Sequence, residues 1–155
     1  MPSRLQAEIK QSKPFPSLGA EALLSVLRTA AVLEHHANEA LRPHALTATQ
    51  YNVLRILRGA GTNGLCGREV AERMVSRVPD VSRLLGRMEN MGLISRERDS
   101  ADHRHVTARI TARGRAILDQ VAPALEGVER ARVGRLDSER LQDLIDGLAA
   151  LREGG

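Results

Sequence analysis

Between positions 96 and 106 the chain reads RERDSADHRHV, in which Arg96, Arg98 and Arg104 are interleaved with Asp99, Asp102, His103 and His105. Imidazoles and carboxylates are donors for zinc or manganese, and residues 103 and 105 of one strand face the same side, so a metal site is one chemistry open to this stretch. No second group of ligands stands elsewhere in the sequence, and patterns this short recur by chance, so neither a metal nor any other cofactor is expected. Guanidinium groups held together offer a different chemistry, forked hydrogen bonds to phosphate oxygens or to the guanine edge.

Two further groups could carry chemistry. Cys66 precedes a short helical pattern and lies near Arg68; a helix N-terminus and a nearby cation lower a thiol pKa, which would suit an oxidation sensor. The same cysteine stands three residues before Glu69, the spacing of a capping box, and can simply fill the cap. His35 and His36 are adjacent on a helical segment, about 100° apart, and cannot easily chelate one ion. No nucleophile with a matched base, no glycine-rich phosphate loop and no carboxylate pair outside 96–106 is present, so the chain is not expected to be an enzyme.

The distribution of charge favours the polyanion. The formal net charge is +4, and residues 68–115 hold 11 arginines against 7 acidic residues, so the whole excess falls in that window. A localised arginine excess is the footprint of a surface that meets phosphates. One cysteine excludes an intrachain disulfide framework and suits a reducing compartment. No stretch reaches the roughly 18 apolar residues of a membrane span, and the N-terminus lacks a secretory apolar core, so a cytoplasmic location without membrane contact is expected.

The elements that must position these residues are mostly helical. With one Phe, one Tyr and no Trp, the core falls to Leu, Val, Ile, Ala and Met, which suits packed helices within one domain. Residues 1–17, with Pro2, Pro14 and Pro16, read as a flexible arm. The spacing of apolar residues predicts a long helix from Leu18 to Leu41, stopped by Pro43. A second helix follows over 47–61 and a short one over 65–74. Over 78–94, Val81, Leu84, Leu85 and Met88 repeat at i, i+3, i+4 and i+7, Pro79 and Asp80 suit the first turn and Gly92 the C′ position. The period then becomes alternating, and 94–98 can pair with 106–110 as a hairpin whose tip is the opening stretch. Long helices over 112–135 and from Asp137/Ser138 onward complete the chain.

Two short helices followed by a two-stranded ribbon have the layout of a winged helix-turn-helix. Ser82, Arg83 and Arg87 lie on the polar face of the second helix. The two arginines, four residues apart, point the same way and can fork onto guanine O6 and N7 or clamp phosphates. Arg77, at the helix entrance, suits a backbone phosphate.

The stretch PDVSRLLGRMENMGLISRERDSADHRHVTARITARG resembles the signature of MarR-family (multiple antibiotic resistance regulator) transcription factors. Val81-Ser82-Arg83 matches the recognition-helix core, Gly92-Leu93-Ile94 its exit, Asp99, Asp102 and Arg104 the wing, and Ile110-Thr111-Ala112-Arg113-Gly114 the close. The resemblance implies a mainly α fold with a small β-hairpin wing, its winged helix-turn-helix over 47–111 flanked by dimerisation helices over 18–45 and 112–151 of one domain, 18–155. It also implies a homodimeric repressor on an inverted-repeat operator in double-stranded DNA. Arg98, His103 and Arg104 would reach the minor groove, with Asp99 or Asp102 bracing an arginine. His103 stands where the family commonly has a basic residue, so wing affinity would vary with pH around neutrality. The family's small anionic aromatic effectors bind between the dimer helices and the DNA-binding lobe, which makes His35, His36 and Arg58 candidates for a pocket. Family peroxide sensors carry their cysteine in the N-terminal helical region, unlike Cys66. The rival reading is a helical protein- or RNA-interaction module with a basic face.

Overall fold

The computed structural model describes residues 1–102 and 104–154. Helix α1 (Arg4–Glu8) lies in the segment expected to be a flexible arm; Ser3 caps it by accepting a hydrogen bond from Gln6 N at 3.2 Å, and Leu5 is buried. Helix α2 (Leu18–Leu41) starts behind Ser17, whose hydroxyl accepts from Ala20 N, and gives way to a 3-10 turn over Arg42–His44 that contains Pro43. Helix α3 (Ala48–Ala60) has a full capping box: Thr47 Oγ1 accepts from Gln50 N, and Gln50 Oε1 accepts from Thr47 N, each at 3.1 Å.

The expected helix over 65–74 is divided. Leu65–Cys66 forms strand β1, and helix α4 (Gly67–Arg73) begins behind it. Helix α5 (Val81–Asn90) is also shorter than its apolar pattern, because Asp80 is its N-cap and not a first-turn residue: Asp80 Oδ1 accepts from Arg83 N at 2.9 Å. Its exit uses Gly92 at φ +76, with Gly92 N donating to the Glu89 carbonyl and Leu93 N to that of Met88. This is the paired bond of a Schellman close, which favours glycine because its C′ residue is left-handed.

Strands β2 (Ile94–Arg98) and β3 (Val106–Ile110) form the expected hairpin, registered from Ile94 opposite Ile110 to Arg98 opposite Val106. The sheet is antiparallel with three strands, β1 pairing the other edge of β3 through Leu65 opposite Ala108. Helix α6 (Ala112–Val133) follows behind Thr111, whose Oγ1 accepts from Gly114 N at 3.1 Å and donates to the Gly92 carbonyl at 2.7 Å. One hydroxyl thus joins the exit of α5 to the entrance of α6. Helix α7 (Ser138–Glu153), capped by Asp137, ends the chain. No helix among the described residues is long and apolar enough to cross a membrane.

The core lies where α2, α3, α4, α5, α6 and the sheet converge: Leu41, Val53, Leu54, Leu57, Val70, Met88, Leu93, Ile94 and Val121 are all fully buried. Each such side chain stabilises the fold by about 1.5–3 kcal/mol relative to exposure. Helix α5 therefore stands on Leu84, Leu85 and Met88 with its polar face turned outward.

Candidate nucleic-acid interface

Burial of one face of α5 settles what the other can do. Ser82, Arg83 and Arg87 are exposed, as is Arg77 in the turn before the helix. Arg83 and Arg87 border a recess of about 380 Å³ whose far wall is the start of α3, with Thr47, Thr49 and Gln50. Ser82 opens instead onto a second recess, of about 680 Å³, between α4, α5 and the wing. Arg68, Arg96, Arg104 and His105 line it too, so the space between helix and wing is bordered by three guanidinium groups, with Glu69 and Glu72 on the α4 side. The structure brings Ser82 and Arg104 together in this way and places Arg83 and Arg87 on the neighbouring surface.

The wing carboxylates act on the main chain. Asp99 Oδ1 accepts from Ala101 N at 2.9 Å and Asp102 Oδ1 from Arg104 N at 3.0 Å; Asp99 N donates to the His105 carbonyl and His105 N to that of Asp102. These local turns set the path of the tip and hence the origin of the exposed Arg104 side chain. Arg98, at the end of β2, is exposed and makes contacts of its own. His103 lies outside the described residues, so the expected pH response rests on sequence alone. Among the described residues no three His, Cys, Asp or Glu side chains converge as a metal site.

A link unseen in the sequence fixes the wing to α5. Glu89 receives Arg96 three times: Oε2 accepts from the main-chain N at 3.1 Å, and Oε1 from Nη2 at 3.2 Å and from Nε at 3.4 Å. The pair is half-buried, with side-chain exposures of 28% for Arg96 and 38% for Glu89. Arg109 ties β3 to β2 and to the turn before β1, pairing with Glu97 at 3.2 Å and donating from Nε to the Thr62 carbonyl at 2.8 Å. No short-range spacing rule joins residues 89 and 96, which meet only because the α5 exit reverses the chain. Glu89→Ala is expected to lower stability by about 1 kcal/mol, since it removes a charged acceptor from a half-exposed pair and leaves the Arg96 amide without it. Urea unfolding checks the value, and the loss should exceed that of Glu97→Ala.

Cys66 is half-buried at the N-cap of α4 and borders the recess between helix and wing. Glu69 Oε2 accepts from Cys66 N at 2.9 Å. That main-chain bond, aided by the thiol and by Arg73 and His105, holds the Glu69 carboxyl below its ordinary value. A depressed carboxylate pKa adds stability that is present above the unfolded value and lost as pH falls through the folded one. Stability of the wild type should therefore fall more steeply below about pH 4.5 than that of Glu69→Gln, as read by urea melts at stepped pH.

His35 and His36 stand on α2 with ring centroids 5.4 Å apart, edge to face. Neither is among the residues that share a recess with Arg58. That residue borders a recess of about 290 Å³ between α3 and α6, with Tyr51, Arg55, Asp119, Glu126 and Glu129.

The helix-turn-helix, the wing and the helices around them have known counterparts. The sequence model of the MarR family matches residues 44–105. The transcriptional regulator HosA of Escherichia coli O157:H7 is 37% identical over 94 residues, 61% of this chain and 68% of that protein. The chain belongs to the MarR family. It is a DNA-binding transcription regulator, which decides against both catalysis and the interaction-module reading. Among solved structures, Sco3205 of Streptomyces coelicolor in complex with DNA superposes with a TM-score of 0.79 at 24% identity, over 93% of this chain and 92% of that one. BpsR of Bordetella bronchiseptica, whose DNA binding is regulated by 6-hydroxynicotinic acid, gives 0.76 at 21% identity over 85% and 98%. These two share the MarR fold.

Proposed function

We propose that the protein is a ligand-responsive repressor that binds an inverted-repeat operator as a homodimer. The observation that carries this reading is the apolar surface of the outer helices. On α2, Leu23, Leu24 and Leu27 are 55%, 42% and 66% exposed, and on α7, Leu144, Ile145 and Leu151 are 47%, 56% and 50% exposed. Among the described residues α7 buries no side chain at all. Helices with apolar stripes of this length are stable when a second copy covers them, and a two-fold interface presents both recognition helices related by a 180° rotation, as an inverted repeat requires. Residues 18–45 and 112–151 are then the dimerisation region and 47–111 the DNA-binding lobe.

Each α5 would enter a major groove, with half-sites about one helical turn apart. Arg83, Arg87 and Ser82 would read base edges or adjacent phosphates, Arg77 would hold the backbone, and Arg104, Arg98 and His103 would approach the minor groove. The fold shared with Sco3205, solved on DNA, supports this docking. A small anionic aromatic effector, of the kind named for BpsR, would meet Arg55 and Arg58 between α3 and α6 only with Asp119, Glu126 and Glu129 on the same lining, so its carboxylate would have to lie on the arginine side of the recess. Its binding would change the separation of the two recognition helices. Cytoplasmic residence follows from this function.

Sedimentation equilibrium tests the dimer. The wild type should run as two chains, and Ile145→Glu, which places a charge in the apolar stripe, should run as one. The variant should also lose at least about a hundredfold in operator affinity, because each half-site is then bound separately. A monomeric wild type, or a variant that binds the operator normally as a monomer, contradicts the reading.

A further inference from the structure

The wing is a long arm on a narrow root. From Ile94 to Ser100 it extends about 20 Å, and a swing of about 10° at the root carries the tip by about 3.5 Å, roughly the 3.4 Å by which successive base pairs advance along DNA. Arg104, exposed at that tip, would then meet a different base pair. A two-stranded ribbon alone is marginally stable in water, so its direction is set by what holds its sides. On one side β3 is paired with β1 and tied to Thr62 by Arg109. On the other, β2 is an edge strand, and its amide at Arg96 is received by Glu89 of α5. The same carboxylate takes Nε and Nη2 of Arg96, so one helix side chain grips both the main chain and the guanidinium of one strand residue. The guanidinium lies against the helix itself: a Cβ on Gly86, three residues before Glu89 and on the same helix face, would stand 3.3 Å from Arg96 Nη2.

We propose that Glu89 is a positioning residue for DNA recognition, holding the wing at a fixed offset from α5 so that the bases met by Arg83 and the minor groove met by Arg104 lie a set number of base pairs apart. It acts through Arg96 and its strand, not through a contact of its own with DNA. A pairing of side chains alone would let the strand shift while the guanidinium followed; the bond to the Arg96 amide removes that freedom. Glu97 supplies the contrast, since it pairs with Arg109 within the sheet and leaves the angle between sheet and helix untouched. The inference rests on the reading in which Arg104 approaches the minor groove; the tie between helix and strand does not.

The test is a double-mutant cycle on a promoter duplex that the wild type binds. Arg104→Ala and Glu89→Ala should each weaken binding about tenfold, and the double variant should also lose about tenfold, not the roughly hundredfold of independent effects. Glu97→Ala should cost little, and Arg104→Ala should still cost about tenfold in its background. Moving the outer flank of each half-site by one base pair should cost the wild type about tenfold and Glu89→Ala almost nothing, a difference that lost stability cannot produce. Glu89→Gln keeps a neutral acceptor for the Arg96 amide, so it supplies a folded chain should Glu89→Ala unfold, and it should show the same pattern with smaller losses. Losses that multiply in the double variant, or equal sensitivity of wild type and Glu89 variants to the flank position, would overturn the proposal while leaving the minor-groove reading in place. If Arg104→Ala costs nothing in the wild type, the minor-groove reading fails and the proposal falls with it.

Discussion

Arg83→Ala should weaken binding to the operator by about tenfold to a hundredfold and leave the melting temperature unchanged. The side chain projects from the outer face of α5 and its main-chain N is held by Asp80, so truncation at Cβ removes no packing and no cap. One bidentate guanidinium–guanine contact accounts for about 1–3 kcal/mol of discrimination between bases, which sets the size of the effect. The loss should be concentrated in specific binding: affinity for unrelated duplex should change little, and the preference for the operator should shrink. Arg77→Ala offers the contrast. A backbone contact at the helix entrance should weaken all duplexes alike and reduce the slope of log affinity against log salt by about one. Paired titrations with operator and scrambled duplex, at stepped salt, separate the two patterns.

Gly114→Ala should cost about 3 kcal/mol, a large share of the stability of an ordinary domain. A Cβ at this position would fall on the Leu93 carbonyl oxygen and come within 2.8 Å of Ile110 Cγ1 and 3.3 Å of Leu54 Cδ2. None of these can give way easily. The Leu93 carbonyl accepts from Thr111 N at 3.1 Å, and Leu54 and Ile110 are buried in the core. The close approach of α6 to the α5–β2 junction depends on the missing side chain, which explains why glycine ends the Ile-Thr-Ala-Arg-Gly close. Gly127→Ala supplies the control: it lies in the same helix, its Cβ would meet nothing within 4 Å, and it should stabilise by about 0.5–1 kcal/mol. Urea unfolding of both variants reads the opposite signs directly.

The elements that carry a local chemical signature were legible in the sequence. Thr47, Thr111 and Asp137 each cap the helix expected behind them, and Gly92 ends α5 in the left-handed conformation its position suggested. The hairpin register also follows from alternation, because Ile94, Ala108 and Ile110 are buried. Where the signal lies in long-range pairing the sequence is mute. Strand β1 has two residues, too few for any period, and exists because Ala108 and Thr107 offer it an edge. The sequence pattern overextends helix α5 because the apolar residues Val78, Leu93 and Ile94 continue it, although Asp80 caps inside it and Ile94 belongs to β2.

The site divides in the same way. Ser82, Arg83 and Arg87 were readable, since a helix with Leu84, Leu85 and Met88 inside must turn those three outward. The grip of Glu89 on Arg96 was not, because it links a helix face to a strand face across a chain reversal. Residue types suggest that Asp99 or Asp102 braces an arginine; they do not reveal that Asp99 accepts from the main-chain amide of Ala101 and Asp102 from that of Arg104. Chemistry alone groups Arg58 with His35 and His36, while the recess Arg58 borders is closed by α6.

Two copies of α5 are expected to read one inverted repeat. Fluorescence anisotropy tests it most directly, using duplexes that tile the promoter region beside the protein's own gene, with unlabelled random duplex as competitor. The expected result is competitor-resistant binding to one inverted repeat, saturating at two chains per duplex and falling when one half-site is scrambled. Uniform weak binding to every duplex, removed by competitor and indifferent to half-site sequence, would contradict it.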